Sequence, residues 1–187
     1  DTVIIAGMGG DLICKILKAK PEFLIEGKEF ILQPQSEWFK IRRLLKEYRY
    51  QIEKEWFLKE DGKYYVIIKA EPAWTQPQRL KHQQPSIHEY IKEISETPAN
   101  QAVSEKDMES IYEQYGKYLI ETKNPVLKEY LEKEITKKES IATELKQSIK
   151  EIESEELSGK ERGNIAKRQR RYQEIQKEIR DMRKAIG

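Results

Sequence analysis

A glycine cluster follows the first apolar run of the chain, at a point where a ligand site can form. Residues 3–6 are apolar, Gly7-Met8-Gly9-Gly10 comes next, and a helical pattern begins directly afterwards. Glycine allows close backbone approach and unusual dihedrals, and ligands of open parallel sheets bind beyond the carboxyl ends of the strands, where helix N–H groups also point. The cluster predicts either a site-lining loop or a tight turn that needs glycine for shape alone. It is not a phosphate fingerprint, because GxGxxG would require glycine at position 12, which is leucine, and no Walker lysine follows.

Two side-chain amides stand at the end of the second apolar run, in Gln33-Pro34-Gln35. If both runs are parallel strands, these amides lie at the same sheet edge as the glycine cluster. Amides at such an edge can hydrogen-bond the edge of a nucleic-acid base. Ordinary loop structure is the alternative interpretation.

A dense basic cluster occurs near the end of the chain, comprising Lys167, Arg168, Arg170 and Arg171. Contacts from lysine and arginine to phosphate supply most non-specific affinity for nucleic acids. Acidic residues between positions 151 and 156 lie close by, and the whole chain has a net charge of only +2. The cluster therefore indicates either an RNA-binding surface or a solvated helical face with neutralising neighbours.

Other kinds of chemistry have little support in the residues. The single cysteine, Cys14, excludes a disulfide framework within one chain, and His82 and His88 lack metal-ligand spacing. No Ser-His-Asp or Cys-His arrangement is readable, so we expect neither nucleophilic nor metal catalysis. No apolar run is long enough to cross a bilayer. We expect no metal, no membrane partner and a cytoplasmic setting.

The elements that position these residues begin with an α/β pattern over residues 1–75. Strand, helix, strand and helix alternate, and two β-rich runs then flank Asp61-Gly62, a hairpin signal. The first strand is a continuous apolar run, which predicts burial on both faces. Ser36 is the expected N-cap of the second helix.

The rest of the chain predicts a linker and a helical domain. Residues 76–103 are rich in proline and glutamine and hold at most one short helix, with Ser86 and Glu89 spaced as a capping box. Residues 104–187 carry apolar stripes at heptad spacing, broken near Gly159, which predicts an antiparallel coiled coil. Long helices with one buried stripe explain the 36% of charged residues and the mean hydropathy of −0.84.

The combination of four segments is more specific for one protein family than any single segment. They read VIIAGMGGDLICKIL, FILQPQSEWFKIRRLL, YQIEKEWFLKEDGKYYVIIKAEP and KYLIETKNPVLKEYLEKEI. The chain resembles the bacterial tRNA (adenine-22-N1)-methyltransferases, which are S-adenosylmethionine-dependent enzymes with a Rossmann-like domain and a C-terminal coiled coil. The resemblance covers residues 1–75 and, less fully, 108–136. It implies methyl transfer from S-adenosyl-L-methionine to N1 of adenine 22 in tRNA.

The resemblance also implies roles for particular residues. Those implied at the reaction centre are Gly7, Met8 and Gly9, and those implied to contact the cofactor are Ala6, Gly7 and Gly10. Those implied to contact the target base are Gln33, Pro34 and Gln35, and those implied to grip tRNA are Lys167, Arg168, Arg170 and Arg171. Family members usually have asparagine where this chain has Gln35, so the reach of that amide differs by one methylene.

The family's cofactor-binding turn and first three strands lie upstream of the segment that this sequence matches. We therefore expect the chain to begin at the fourth strand of a seven-stranded methyltransferase sheet. We also expect it to be inactive by itself and to leave an apolar sheet edge unpaired.

Two other classes of function stay open. The chain can be a non-catalytic RNA-binding or adaptor protein on a degenerate methyltransferase remnant, or its helical hairpin can be a protein–protein coiled coil. Cofactor binding by the complete reading frame separates the enzyme from the adaptor. Salt-insensitive self-association would favour the protein–protein coiled coil, whereas we expect a monomer.

Overall fold

The computed structural model describes residues 1–73, 99–153 and 159–187, with residues 99–106, 153 and 159–163 described by their backbone alone. The predicted capping box at Ser86 and most of the predicted break before Gly159 lie outside the described residues. Two compact units are present, Asp1–Asn124 and Pro125–Gly187. The predicted domain boundaries stay predictions, but residues 99–121 form helices that belong to the first unit.

A four-stranded sheet forms the centre of the first unit. Its strands are β1 (Thr2–Met8), β2 (Glu29–Pro34), β3 (Tyr50–Glu60) and β4 (Lys63–Pro72), in the order β1-β2-β4-β3. β1 and β2 are parallel, whereas β4 is antiparallel to both of its neighbours. Asp61 and Gly62 both have positive φ, as a type I′ hairpin turn requires. The predicted mixed sheet and its terminal hairpin are confirmed.

Five helices of the first unit are described: α1 (Gly10–Ala19), α2 (Pro21–Ile25), α3 (Trp38–Glu47), α4 (Ala99–Tyr115) and α5 (Lys117–Glu121). The sequence predicts that Lys20-Pro21 stops the first helix. Pro21 also begins α2, since proline is well tolerated at the first helical position. The prediction of Ser36 as the N-cap of α3 is wrong, because Glu37 occupies that position with φ of 54°.

The first strand is more exposed than its apolar sequence predicts. Ile4 is 68% exposed, whereas Phe30 and Leu32 on the neighbouring strand are fully buried. Among the described strands β1 has a hydrogen-bonded neighbour on one side only, β2. The prediction that β1 is buried on both faces is therefore wrong for this chain.

A buried ion pair ties α4 to the sheet. Nε of Arg42 in α3 donates to Oε1 of Glu55 in β3 at 2.8 Å, and both side chains are at least 95% buried. Nη1 of Arg42 also donates to the carbonyl oxygens of Glu113 and Gln114, at 3.1 and 2.9 Å. Since the last carbonyls of a helix have no partner within it, Arg42 satisfies the end of α4.

The second unit consists of α6 (Pro125–Glu153) and α7 (Gly159–Ile186). Lys138 contacts Glu178, Glu139 contacts Arg183 and Ser148 contacts Arg168. Ser148 lies ten residues after Lys138, whereas its partner Arg168 lies ten residues before Glu178, so the two helices pair antiparallel. Their buried residues are Leu127, Leu131, Ile135, Ala142, Ile149, Ile165, Ile175, Ile179, Met182 and Ala185. Among the described residues, no helix is long and apolar enough to cross a membrane.

Candidate active site

A β-bulge interrupts the pairing of β1 and β2 at the glycine cluster. Ala6 pairs with Gln33 and Met8 pairs with Pro34, so Gly7 has no opposite residue. Gly7 has φ of 79°, a conformation that glycine adopts without strain. Its N–H donates to Oε1 of Gln33 at 2.8 Å. The structure thus brings together Gly7 and Gln33, two of the predicted site residues.

The loops that follow β1 and β2 bind each other through their backbones. The N–H of Gln35 donates to the carbonyl of Met8 at 2.8 Å, and the N–H of Gly10 donates to the carbonyl of Ser36 at 2.9 Å. The N–H of Asp11 donates to Oε2 of Glu37 at 3.2 Å. The two predicted loops therefore form one continuous surface at the carboxyl ends of adjacent parallel strands.

Three charged side chains form ion pairs next to this surface. Nζ of Lys40 lies 2.6 Å from Oε1 of Glu37 and 3.0 Å from Oδ1 of Asp11. Hydrogen bonds from Lys15 and then Lys40 lower the pKa of Asp11 to about 2. Lys40 lowers the pKa of Glu37, and Glu37 and Asp11 together raise the pKa of Lys40. All three groups are therefore charged at neutral pH.

The start of α1 is consequently a poor anion site. Two of its first N–H groups have acceptors from the neighbouring loop, and the carboxylates of Asp11 and Glu37 lie beside it. Anions bind helix N-termini through free N–H groups and the positive end of the dipole. The occupied donors favour the sheet-edge backbone over the helix end as the ligand-facing part.

Exposure separates the predicted residues of the two loops into three groups. Ala6, Gly7, Met8 and Gln35 are exposed, Gly9 and Gln33 are half-buried, and Gly10 and Pro34 are buried. A Cβ at Gly7 would have no heavy atom within 4 Å, so a ligand can reach its backbone. A Cβ at Gly10 would instead lie 2.6 Å from the carbonyl oxygen of Glu37. The cofactor role predicted for Gly10 stays a prediction, and its glycine is required by the close approach of the two loops.

The cysteine next to this surface is not poised for nucleophilic chemistry. Sγ of Cys14 lies 3.5 Å from the carbonyl oxygen of Lys40 and is partly buried. Burial raises the pKa of this thiol, and a protonated thiol is a weak nucleophile.

A separate cavity of about 990 Å³ lies between α3, β3, α4 and α5. Described residues that line it include Arg42, Tyr50, Glu55, Tyr112 and Lys117. The residues predicted to form the site are not among the described residues lining this cavity. Its lining mixes acidic and basic side chains, so its charge does not select one class of ligand.

The four residues of the basic cluster in the second unit differ in their contacts and in their exposure. Arg168 contacts Oγ of Ser148 in α6 and is half-buried, and Arg171 pairs with Glu174 and Glu178. Lys167 and Arg170 are exposed and make no ion pair with the described residues. Two of the four predicted tRNA contacts are thus engaged within the hairpin.

Two groups of residues relevant to the site escaped the sequence-based reasoning. Glu37 and Lys40 bind the glycine loop, but their partners lie 26 and 29 positions away, and no local pattern marks such contacts. Lys177 and Arg180 are exposed cations on α7 that the sequence does signal. Arg170 and Lys177 are seven positions apart, on the helix face opposite the apolar heptad positions.

Comparisons with known proteins show which proteins this chain is similar to. The family model described as TrmK, tRNA (adenine(22)-N(1))-methyltransferase, matches residues 1–98. The chain is 44% identical over 71 residues to the tRNA (adenine(22)-N(1))-methyltransferase of Bacillus subtilis, in a match that covers 38% of this chain and 30% of that relative.

Two solved structures have a similar fold. The crystal structure of the B. subtilis m1A22 tRNA methyltransferase TrmK has a TM-score of 0.60 and 24% identity, with all of this chain and 63% of that one covered. Streptococcus pneumoniae Sp1610, a putative tRNA (m1A22) methyltransferase in complex with S-adenosyl-L-methionine, has a TM-score of 0.55 and 20% identity, with 100% and 60% covered.

These comparisons settle the family and the fold. The chain spans less than two thirds of the solved chains it matches, and its match to the curated relative covers under one third of that protein. The Rossmann-like α/β fold expected from the sequence is confirmed by the structural likeness. The family model covers more than half of the 187 residues, and the chain belongs to the TrmK family of tRNA (adenine(22)-N(1))-methyltransferases.

Proposed function

We propose that the protein takes part in the transfer of a methyl group from S-adenosyl-L-methionine to N1 of adenine 22 in tRNA. One observation carries this proposal beyond family membership. The bulge at Gly7 leaves the backbone of residues 6–8 exposed beside Gln35, at the carboxyl ends of two parallel strands. This is where open α/β sheets bind their ligands.

The described residues fit a cofactor at the sheet edge and disfavour one at the helix end. Ala6 and Gly7 are exposed, and the space beyond the Gly7 Cα is open. Gly10 is buried, and its N–H already donates to Ser36. When bound, the cofactor supplies an electrophilic methyl group on a sulfonium. The residues that would face it are Ala6, Gly7 and Met8.

The protein's contribution to the reaction is positional. Adenine N1 carries a lone pair and is itself nucleophilic, so no covalent enzyme intermediate is needed. Alignment of N1 with the methyl group is the main requirement, and alignment of this kind can account for large rate factors. Gln35 is the exposed amide of the Gln33-Pro34-Gln35 turn, so it is the side chain best placed to contact the base. The carbonyls of Gly7 to Gly9 are candidate acceptors for the exocyclic amine.

The target base is part of a folded tRNA, which requires a second contact surface. Bases inside folded nucleic acids are reached by flipping them out, and structured RNA is recognised largely by shape and phosphate. Helix α7 carries ten lysine and arginine residues and four acidic ones. We assign tRNA binding to its exposed face, with Lys167 and Arg170 from the predicted cluster and Lys177 added. The proposal places the protein in the cytoplasm as a monomer.

The test is methyl incorporation. The 187-residue chain and the complete open reading frame that contains it are each incubated with unmodified tRNA and labelled S-adenosylmethionine, and the nucleosides are identified after digestion. We expect N1-methyladenosine from the complete reading frame, and no product from a tRNA in which adenine 22 is changed to guanine. Intact tRNA binding without incorporation would replace the proposal with a non-catalytic RNA-binding protein. Absence of both, together with salt-insensitive self-association, would indicate a protein–protein coiled coil.

A further inference from the structure

The side chain of Gln33 takes the place of a missing sheet hydrogen bond. Because the register of β1 and β2 shifts between Ala6 and Met8, the ladder offers Gly7 no opposite residue on β2. The N–H of Gly7 instead donates to Oε1 of Gln33 at 2.8 Å. A backbone N–H that the bulge would leave unpaired is thereby satisfied by a side chain from the neighbouring strand.

The chemistry of this contact fixes the orientation of the Gln33 amide. A backbone N–H can only donate, so the oxygen of the amide must face Gly7 and the nitrogen must face away. Nε2 of Gln33 is buried and has no hydrogen-bond partner among the residues that the structure describes. It therefore cannot reach a ligand in the crevice unless the amide leaves Gly7.

Side-chain packing does not crowd Gly7 on the side where a Cβ would stand. Its φ of 79° lies in the left-handed region, and no heavy atom would lie within 4 Å of a Cβ at this position. Packing around the Cα thus does not dictate the bulge. The bond to Gln33 on one side and the bond from the Gln35 N–H to the Met8 carbonyl on the other fix the bulge, together with the ladder pairs that flank it.

We propose that Gln33 is a positioning residue, which acts through Gly7 by holding the bulge in the shape that presents residues 6–8 to the reacting groups. The inference rests on the proposed methyl transfer and changes the role of Gln33 from a base contact to a support of the backbone. Gln35 keeps the role of the exposed amide. The acceptor oxygen of Gln33, and not its nitrogen, is the atom that matters.

Two substitutions separate the oxygen from the nitrogen. Gln33→Glu keeps an oxygen acceptor at the same reach and removes the amide nitrogen, whereas Gln33→Met keeps the length of the side chain and removes the acceptor. Gln51→Met, in β3, is the matched control for loss of a glutamine elsewhere in the sheet. Each variant is made in the 187-residue chain and in the complete reading frame.

The first readout is independent of activity. The chain has nine glycines, so selective ¹⁵N-glycine labelling gives a small set of amide signals, and loss of one signal in Gly7→Ala assigns Gly7. We expect Gln33→Met to speed exchange of the Gly7 amide by roughly three- to tenfold, as loss of one hydrogen bond allows. We expect Gln33→Glu and Gln51→Met to leave that exchange close to its original rate. Unchanged exchange in Gln33→Met would overturn the inference.

The second readout is the split between kcat and KM for tRNA. A positioning role predicts a lower kcat with little change in KM for Gln33→Met, and partial rescue of kcat by Gln33→Glu. Equal loss of kcat in both variants, with the Gly7 amide still protected in Gln33→Glu, would make the nitrogen the functional atom and overturn the inference. If the unaltered reading frame transfers no methyl group, the proposed function fails, while the exchange experiment still decides whether Gln33 holds Gly7.

Discussion

Both units of the chain have an apolar core, but the polar contacts around the two cores differ. In the first unit, single bonds between residues far apart in sequence shape the loops and fasten α4, as in the contacts of Gly7 with Gln33 and of Arg42 with Glu55. In the second unit, a repeated apolar stripe joins α6 and α7, and most of the charged contacts around it are exposed, such as Arg183 with Glu139.

This difference bears on function as well as on stability. A loop defined by a few specific bonds has a precise shape, which the proposed methyl transfer needs. A hairpin defined by a repeated stripe tolerates changes at its surface, which leaves the surface available for binding a large, charged partner. We therefore expect large effects from substitutions of the buried or loop-joining residues of the first unit, and small, additive effects from substitutions on the surface of the second.

The largest effect is expected from Arg42→Met. Removal of one partner from a buried ion pair leaves the other charge without compensation and costs about 3–5 kcal/mol. The end of α4 loses its contacts to Arg42 in the same variant. All three tryptophans lie within positions 38–74, so denaturant unfolding followed by tryptophan fluorescence reports the first unit. A loss well below this range would show that α4 does not depend on Arg42.

The adjacent arginine is the matched control. Arg43 pairs with Glu113 of the same helix, but its side chain is 64% exposed. Exposed ion pairs contribute little to stability. We expect Arg43→Met to leave the midpoint of tryptophan-detected unfolding nearly unchanged, and an effect equal to that of Arg42→Met would remove burial as the explanation.

The next largest effect is expected from Gly10→Ala. Its Cβ would lie 2.6 Å from the Glu37 carbonyl oxygen and 2.8 Å from the Ser36 carbonyl oxygen. Because both atoms are backbone, the loops must move apart, and overpacking of this kind costs roughly 1–3 kcal/mol. Gly7→Ala is the comparison, since its positive φ lowers the stability by about 1–2 kcal/mol without a steric clash. A cost for Gly10→Ala below about 1 kcal/mol, measured by denaturant unfolding, would show that the two loops are not closely joined.

The sequence predicts those parts of each unit in which the contacts join residues that are close together in the sequence. The glycine cluster, the Asp61-Gly62 turn and the alternation of strands and helices are local signals, and the structure confirms the elements they predict. The apolar periodicity after Pro125 likewise marks the buried residues of the hairpin. Local patterns suffice wherever neighbouring residues determine the element.

What the sequence does not reveal depends on distant partners. Serine is a common N-cap residue, but the carbonyl of Ser36 accepts a hydrogen bond from the N–H of Gly10, and Glu37 occupies the N-cap position. The apolar sequence of β1 predicts burial, whereas exposure depends on which strands are hydrogen-bonded to it. Glu55 lies in an ordinary strand, and only the fold places it against Arg42. The shape of the candidate site is therefore readable only after the strands are paired.

A smaller effect is expected from changes on the outer face of α7. Arg170→Gln with Lys177→Gln should weaken tRNA binding and reduce the slope of log affinity against log salt by roughly 1.4–1.8, since each phosphate contact contributes about 0.7–0.9. Arg168→Gln with Arg171→Gln removes the same number of charges from residues engaged within the hairpin. Filter binding at several salt concentrations measures both slopes. Equal slopes for the two double variants would show that the face of α7 has no special role.

The smallest effect is a change in one titration, and it compares a local with a distant contact inside the first unit. Asp11 has a pKa of about 2, lowered first by Lys15, four residues along α1, and next by Lys40 from the other loop. Because the pKa is depressed in the folded protein, the stabilisation by these contacts is complete above pH 3.8 and is lost as the pH falls through about 2. Titration of the Asp11 carboxyl by ¹³C NMR should show its pKa rising toward 3.8 in Lys15→Met and rising less in Lys40→Met. A larger rise of this pKa in Lys40→Met would mean that the contact between the loops is the main cause of the low pKa of Asp11. The electrostatics at the start of α1 would then depend mainly on a distant partner.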